Sequence, residues 1–279
     1  MAKLMVMGTT SSAGKSLIVT GLMRYFTKEG FRAYPFKSQN MSSKKYMLKD
    51  GRFISTAQAL QAIAGGLEPD DKMNPVLLIP KSNVGSMVVI DGKEYKHMMA
   101  REYFEFKKEL APHIKEVFSK IESDNDIVII EGAGSPAEIN LRENDIVNMG
   151  LAEMVDAPVI LVADIDRGGV FASLYGTVML LKEEERARIK GLVINKFRGD
   201  SSLLHSGIKE IESLTGIPVI GLIPYEKFEL VDEDSLIDYD KEANHREQTK
   251  EELEKELDKL EEILKNNMDM DRVREIAGV

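Results

Sequence analysis

The 279-residue chain contains no cysteine. That excludes disulfides, thiolate zinc sites and every thiol nucleophile, the cysteine of an internal glutaminase included. Histidine is scarce: His97, His113, His205 and His245 stand far apart with no ligand spacing and read as surface or supporting residues. Positive charge is not in excess. Lys and Arg number 37 against 47 Asp and Glu, and the formal net charge of -10 argues against a nucleic-acid partner. No long uncharged apolar run is present, so nothing is expected to span a membrane. The N-terminus enters a strand directly without a secretory signal, and a cytoplasmic protein is expected. Neither an internal repeat nor a low-complexity tract is visible.

A hydrophobic share of 43% is enough for a sizeable core. Short apolar runs at Lys3–Met7, Ala33–Phe36, Met87–Ile90, Asp126–Glu131, Val159–Asp164, Gly191–Asn195 and Val219–Ile223 alternate with helical patterns. The helical stretches are Lys15–Lys28, Thr56–Ala64, Ala100–Ser123, Ile146–Met154, Gly169–Leu181 and Ser206–Thr215. Strands that are apolar throughout and alternate with helices predict an α/β fold: a doubly wound, mostly parallel sheet with helices on both faces. The core domain is expected over residues 1–225, followed by an acidic linker at 226–247. A charged amphipathic C-terminal helix at 248–279 then carries Leu253, Leu257, Leu260 and Leu264 on one stripe.

The first strand runs into Gly8-Thr-Thr-Ser-Ser-Ala-Gly-Lys-Ser16, a phosphate-binding loop at a strand–helix junction. Small residues let consecutive N–H groups converge on phosphate oxygens, and the helix behind presents its positive end to the same anion. Thr9, Thr10, Ser12, Ala13 and Gly14 form the cradle. Lys15 is placed to reach the β- and γ-phosphates, and Ser16 to bind Mg²⁺. Five residues rather than four separate Gly8 from Gly14, so Thr9 occupies the usual first-glycine position. The fold expected is therefore P-loop NTPase-like.

In such sheets ligands bind beyond the carboxyl ends of the strands, where the other motifs fall. Glu131-Gly-Ala-Gly-Ser135 delivers a carboxylate beside small residues; Glu131 is the Mg²⁺ candidate, and Gly134 and Ser135 would let substrate approach the backbone. Asp164-Ile-Asp166-Arg167 precedes a helix; its acids suit a catalytic cluster and its arginine a transferring phosphoryl, with a capping network as the alternative. Asn195 can pair with the donor and acceptor edge of adenine, or simply close a turn. Lys37 would lie near phosphates or a substrate carboxylate, with Gln39 and Asn40 as hydrogen-bonding groups for it.

Taken in order, these motifs resemble the synthetase domain of the cobyric acid synthase family, grouped with dethiobiotin synthetase and the cobyrinate diamide synthases. The resemblance runs from Lys3 to about Leu236. It covers the loop with its five-residue gap, PFKSQNM at Pro35–Met41, AQALQA at Ala57–Ala62, MNPVLL at Met73–Leu78 and EGAGSPAEINL at Glu131–Leu141. DIVNMG at Asp145–Gly150, DIDRGGVFAS at Asp164–Ser173, NKFRGD at Asn195–Asp200 and DEDSL at Asp232–Leu236 complete it. The resemblance implies ATP–Mg²⁺-dependent phosphorylation of corrinoid side-chain carboxylates, with ammonia then displacing phosphate. It also adds Gln58 to the substrate residues.

The family normally continues into a cysteine-dependent amidotransferase domain. With no cysteine here, ammonia would come in trans, from a separate glutaminase subunit or free in solution. A non-catalytic or regulatory nucleotide-binding homologue is the alternative. A homodimer is left open. Ser55-Thr56 stand where the family has Gly-Arg, and Ile79 where it has Lys, which would weaken recognition of a polycarboxylate. Partitioning-type ATPases carry a signature lysine where Thr10 stands, so that reading ranks last.

Overall fold

The apolar stretch Ala2–Gly8 forms β1, and Gly14, in the left-handed region at φ 96°, turns the chain into α1 (Lys15–Lys28). The computed structural model describes residues 1–81, 85–230 and 249–279. In chain order there follow β2 (Ala33–Phe36), β3 (Gln39–Met41), β4 (Lys45–Met47), β5 (Phe53–Ser55), α2 (Thr56–Ala64), β6 (Val76–Pro80), β7 (Gly85–Ile90), β8 (Lys93–Met99), α3 (Ala100–Asp124) and β9 (Ile127–Glu131). The remaining elements are α4 (Met149–Met154), β10 (Val159–Asp164), α5 (Val170–Leu180), α6 (Glu183–Arg186), β11 (Ile189–Phe197), α7 (His205–Thr215), β12 (Val219–Pro224), α8 (Lys250–Asn267) and α9 (Met270–Ala277).

Six strands pair side by side in the order β12-β11-β10-β1-β9-β2, every pairing parallel. Their residues point alternately into two apolar cores. One holds Met5, Met7, Ile130, Leu161 and Ile194 against α3, α4, α5 and α7. The other holds Leu4, Val6, Ile129, Val162 and Val193 against α1, α8 and α9. The doubly wound parallel sheet read from the alternation of strands and helices is what the chain forms. No helix among the described residues is long and apolar enough to cross a membrane.

Two expectations need correction, and a third falls largely outside the described residues. Met87–Ile90 is a strand, but it belongs to a second, four-stranded sheet ordered β3-β6-β7-β8, in which β6–β7–β8 is an antiparallel meander. Of the other three strands, β3 is three polar-leaning residues and β8 is largely exposed, so neither shows an apolar run, while β6 is apolar but was read only as part of the MNPVLL motif. The single C-terminal helix is two. Between them Met268 bridges to Gly221 of β12, and Asp269 caps α9 by accepting from the Arg272 N–H. The acidic linker expected at 226–247 lies, from residue 231 on, outside the described residues, as does Asp232–Leu236.

Helix α8 lies across α1, with Leu257, Leu260 and Leu264 buried. Arg24 of α1 reaches Glu254 and Asp258 at 2.6 and 2.7 Å. Gly21 makes the approach close enough: a Cβ there would stand 2.4 Å from Leu264 Cδ1. Outside that contact, replacing a mid-helix glycine would strengthen the helix. Here overpacking wins, and Gly21→Val is expected to cost about 1–3 kcal/mol, measured as a lower denaturation midpoint. An unchanged or raised midpoint would mean that α8 does not press on α1.

Candidate nucleotide and acceptor site

All five sequence motifs gather at the carboxyl ends of the parallel strands, following β1, β2, β9, β10 and β11. The phosphate loop is anchored from both flanks. At its start the Thr9 N–H donates to the Val162 carbonyl of β10 at 2.8 Å. Asn195, at the end of β11, donates from Nδ2 to the Ala13 carbonyl at 2.9 Å and accepts the Lys196 N–H on Oδ1. A Cβ on Gly14 would sit 2.1 Å from that Nδ2, so glycine is required for the amide to reach the loop. Lys196 adopts φ 62°, a left-handed conformation unusual for a residue with a side chain. Its Nζ donates to the Ser12 carbonyl at 2.7 Å and to Asp164 at 2.9 Å.

Lys15 is buried and donates to the carbonyls of Thr10, Ser11 and Gly134 at 3.0, 2.9 and 3.3 Å. It thus spans the cradle from its own loop to the loop after β9. Ser16 Oγ donates to Glu131 Oε1 at 2.8 Å, and Lys37 Nζ bonds the same oxygen at 2.8 Å. The other oxygen accepts from Gln61 Nε2 at 2.5 Å and Gln58 Nε2 at 3.3 Å. Burial works against the charged form of Glu131 and is the largest single influence on it. The Lys37 charge and the hydrogen bonds from Lys37, Gln61 and Ser16 together outweigh it and hold the carboxyl below the usual carboxylate range. Both carboxylate oxygens are therefore engaged, and Glu131 in this state orients the Ser16 hydroxyl. No group of three or more His, Asp or Glu able to cage a metal occurs among the described residues.

The predicted residues fall into three groups. Ser16, Lys37, Gln58 and Glu131 meet in one network, to which Asn40 is joined by its bond to Gln58 at 2.8 Å, while Lys15 bonds instead to the carbonyls of Thr10, Ser11 and Gly134. Asp164 and Asn195 hold the loop's other flank, beside Thr9, Ser12 and Ala13. Asp166 and Arg167 are not drawn into either: Asp166 pairs with Arg198 at 2.8 Å, while Arg167 is largely exposed and stands 4.0 Å from Asp164. Gln39 accepts from the Tyr103 hydroxyl at 2.7 Å. Burial pushes that phenol well above its ordinary range.

Two cavities flank the loop. One, of about 310 Å³, is lined by Ser11, Gln39, Lys107, Gly134, Ser135 and Arg142, among others. The second, of about 320 Å³, is bordered by Leu17, Asn195, Lys196, Pro224, Phe228 and Leu260. Motif reading missed Lys196, Gln61, Tyr103, Lys107 and Arg142. Lys196 stood inside a quoted motif, next to Asn195 at a strand end. Gln61 likewise stood inside AQALQA, whereas Tyr103, Lys107 and Arg142 sit on elements whose helical or turn patterning masks them. Asn148 was missed too; it accepts from the Ala133 N–H and donates to the Ala133 carbonyl, fixing the loop after β9. Of the departures, Ser55 caps α2 through the Ala57 N–H and accepts from Asn40 Nδ2 at 2.9 Å, at the edge of the Glu131 network, whereas Ile79 is core of the second sheet.

The parallel sheet and its glycine-bearing loop at the β1–α1 turn define a nucleotide-binding protein of the P-loop class. A family model described as an AAA domain (AAA_26) matches residues 2–228, and the chain belongs to that family. It is 54% identical over 243 residues to the cobyric acid synthase of Alkaliphilus metalliredigens, a match covering 87% of this chain and 48% of that protein. It is 57% identical over 239 residues to that of Clostridium kluyveri, covering 86% and 48%. With that of Streptococcus sanguinis it shares 57% over 233 residues, covering 84% and 47%. The resemblance read from the motifs is borne out, and the chain spans about half the length of these curated relatives. Among solved structures, the signal recognition particle receptor FtsY from Elizabethkingia anophelis aligns with a TM-score of 0.44 at 17% identity, over 81% of this chain and 59% of that one. Chloroplast FtsY from Physcomitrella patens aligns with a TM-score of 0.44 at 15% identity, over 85% and 64%.

Removing Lys37 leaves Glu131 buried without its counter-ion. Lys37→Met is expected to destabilise the fold by about 3–5 kcal/mol at neutral pH. In the native chain the depressed carboxyl contributes stability that is present above its unfolded value and lost as pH falls through its folded value. In the variant the uncompensated carboxyl takes up a proton more readily, so the deficit should shrink on acidification. Denaturant unfolding of both proteins across mildly acidic to neutral pH measures this; a deficit independent of pH would contradict it.

Proposed function

We propose that this chain binds ATP and Mg²⁺ and activates side-chain carboxylates of a corrinoid for amidation, a step of cobalamin biosynthesis, with ammonia drawn from outside these residues. One observation carries the reading. Two cavities adjoin one phosphate loop: one is lined by Ser11, whose carbonyl accepts from Lys15, and the other by Asn195, which donates to the Ala13 carbonyl. The arrangement suits a nucleotide base on one side and a phosphoryl acceptor on the other. The names carried by the relatives supply the acceptor class.

Asn195 spends one N–H and one lone pair on the protein, and retains one of each for an adenine edge. The loop N–H groups and Lys15 receive the phosphates. Lys15 would exchange its carbonyl partners for the γ-phosphate, and Lys196, held by Asp164, braces the loop beneath it. Ser16 and Glu131 would hold Mg²⁺, which when bound neutralises charge on the transferring group. For Glu131 that means directing Ser16, or yielding one of its donors to bind directly. Gln39, Asn40, Gln58, Gly134 and Ser135 form the acceptor side. Asp166 and Arg167 follow β10 beside Asp164, on the Asn195 flank of the loop, and the exposed Arg167 would turn toward a phosphoryl oxygen.

A carboxylate oxygen of the acceptor attacks the γ-phosphorus, the bond to the bridging oxygen breaks, and ADP leaves. A poor acyl donor has become a good one. Ammonia adds to the acyl carbon, loses a proton to solvent, and phosphate departs carrying the former carboxylate oxygen. The protein's share is positioning, charge neutralisation and exclusion of water.

The test is ATP turnover and product mass with ammonium and a corrinoid bearing free propionates. Corrinoid-stimulated turnover with amidated product is expected, and Lys15→Ala should lower it by about a hundredfold or more. Nucleotide binding with no turnover would favour a regulatory homologue instead. Unchanged turnover in the variant would refute the role of Lys15.

A further inference from the structure

We propose that Lys107 and Arg142 form a carboxylate-recognition subsite in the cavity beside Ser11, holding a second carboxylate of the acceptor while another reacts over Lys15. This rests on the reading above for the identity of the acceptor. The geometry that suggests it does not.

Lys107 projects from α3 and is only 9% exposed. Among the described residues no carboxylate lies within 4 Å of its ammonium, and the nearest aromatic face, that of Phe104, is 5.6 Å from it. Keeping a buried cation without a counter-ion is costly. Burial holds this lysine below its ordinary range, and only the more distant charges of Asp145 and Glu138 oppose that. Arg142 lines the same cavity. Its Nη2 donates to the Leu180 carbonyl at 2.7 Å and stands 3.8 Å from Glu185, but its Nε is buried with no partner. Two cations, one without a counter-ion and one with an unpartnered donor, thus line the same cavity. Glu138, Asp145 and Glu185 on the same wall outnumber the two cations, which disfavours a phosphate dianion more than a singly charged carboxylate.

The cavity also touches Ser11 and Gly134, two of the three residues whose carbonyls accept from Lys15. An anion held at Lys107 therefore lies on the acceptor side of the loop. A polycarboxylate can satisfy both positions, whereas a monocarboxylate can satisfy only one. The pair would thus select for substrates with several free acid arms, and would supply the cationic contacts that Ser55-Thr56 and Ile79 do not.

The experiment titrates the chain with cobyrinic acid, whose arms are carboxylates, and with cobinamide, whose arms are carboxamides, following the corrin absorption. Binding of a fluorescent ATP analogue is measured in parallel. Lys107→Met is expected to weaken cobyrinic acid about tenfold while leaving cobinamide and the ATP analogue unaffected; Lys107→Arg should keep most of the affinity. Arg142→Gln, at a more exposed position, should act in the same direction and carries the test if Lys107→Met does not fold. Wild-type affinity for cobyrinic acid in the folded variants overturns the subsite alone. A wild-type chain that binds the ATP analogue but ignores cobyrinic acid overturns the proposed acceptor, and the subsite with it.

Discussion

Burying the Glu131 carboxylate at the end of β9 obliges donors to come to it, and they come from three separate stretches of chain. Ser16 arrives on the first turn of α1, Lys37 on the segment leaving β2, and Gln58 and Gln61 on successive turns of α2. A charge that deep cannot go unpaired. Satisfying it therefore fixes the loop helix, the second strand and α2 relative to one another. The geometry of the nucleotide site is in this sense a by-product of solvating one anion without water. Asn195 and Lys196 do the corresponding work on the far flank, through the Ala13 and Ser12 carbonyls and, for Lys196, the Asp164 carboxylate.

The C-terminal segment belongs to the same construction. Helix α8 seals the outer face of α1 and contributes Leu260, Ile263 and Leu264 to the wall of the cavity at Asn195. The part of the chain most distant in sequence from the phosphate loop thus shapes the space beside it. Arg24 and Lys28, on the outer face of α1, tie α8 down through Glu254, Asp258 and Glu261. These pairs are half exposed and screened, so apolar burial of Leu257, Leu260 and Leu264 carries most of the docking energy.

The parallel sheet was legible because its strands are apolar on both faces and end in loops of small and polar residues. The phosphate loop was legible because its chemistry dictates residue types at fixed spacing. The second sheet was not, since β3 and β8 carry no apolar alternation to reveal them, and antiparallel pairing of β7 depends on neighbours rather than on its own residues. Within the site, residues whose type dictates a role in the motif could be found; their hydrogen-bonding partners could not, whether inside a motif, as Lys196, Gln61 and Asn148 are, or delivered from elsewhere, as Tyr103 is. Lys107 reads as one more charge on an amphipathic helix, and only folding shows that it points inward. Asp166 and Arg167 illustrate the converse. Their place at a strand end is right, yet Asp166 is drawn to Arg198, which lies over the Tyr225 ring, a pairing no local pattern announces.

The central claim is that a carboxylate and the terminal phosphate of ATP meet above Lys15. It is tested most directly by labelling the corrinoid carboxylates with heavy oxygen and analysing the inorganic phosphate released during amidation. Acyl phosphate formation predicts one labelled oxygen in each phosphate for each amide formed. Amide formation with unlabelled phosphate would contradict the account.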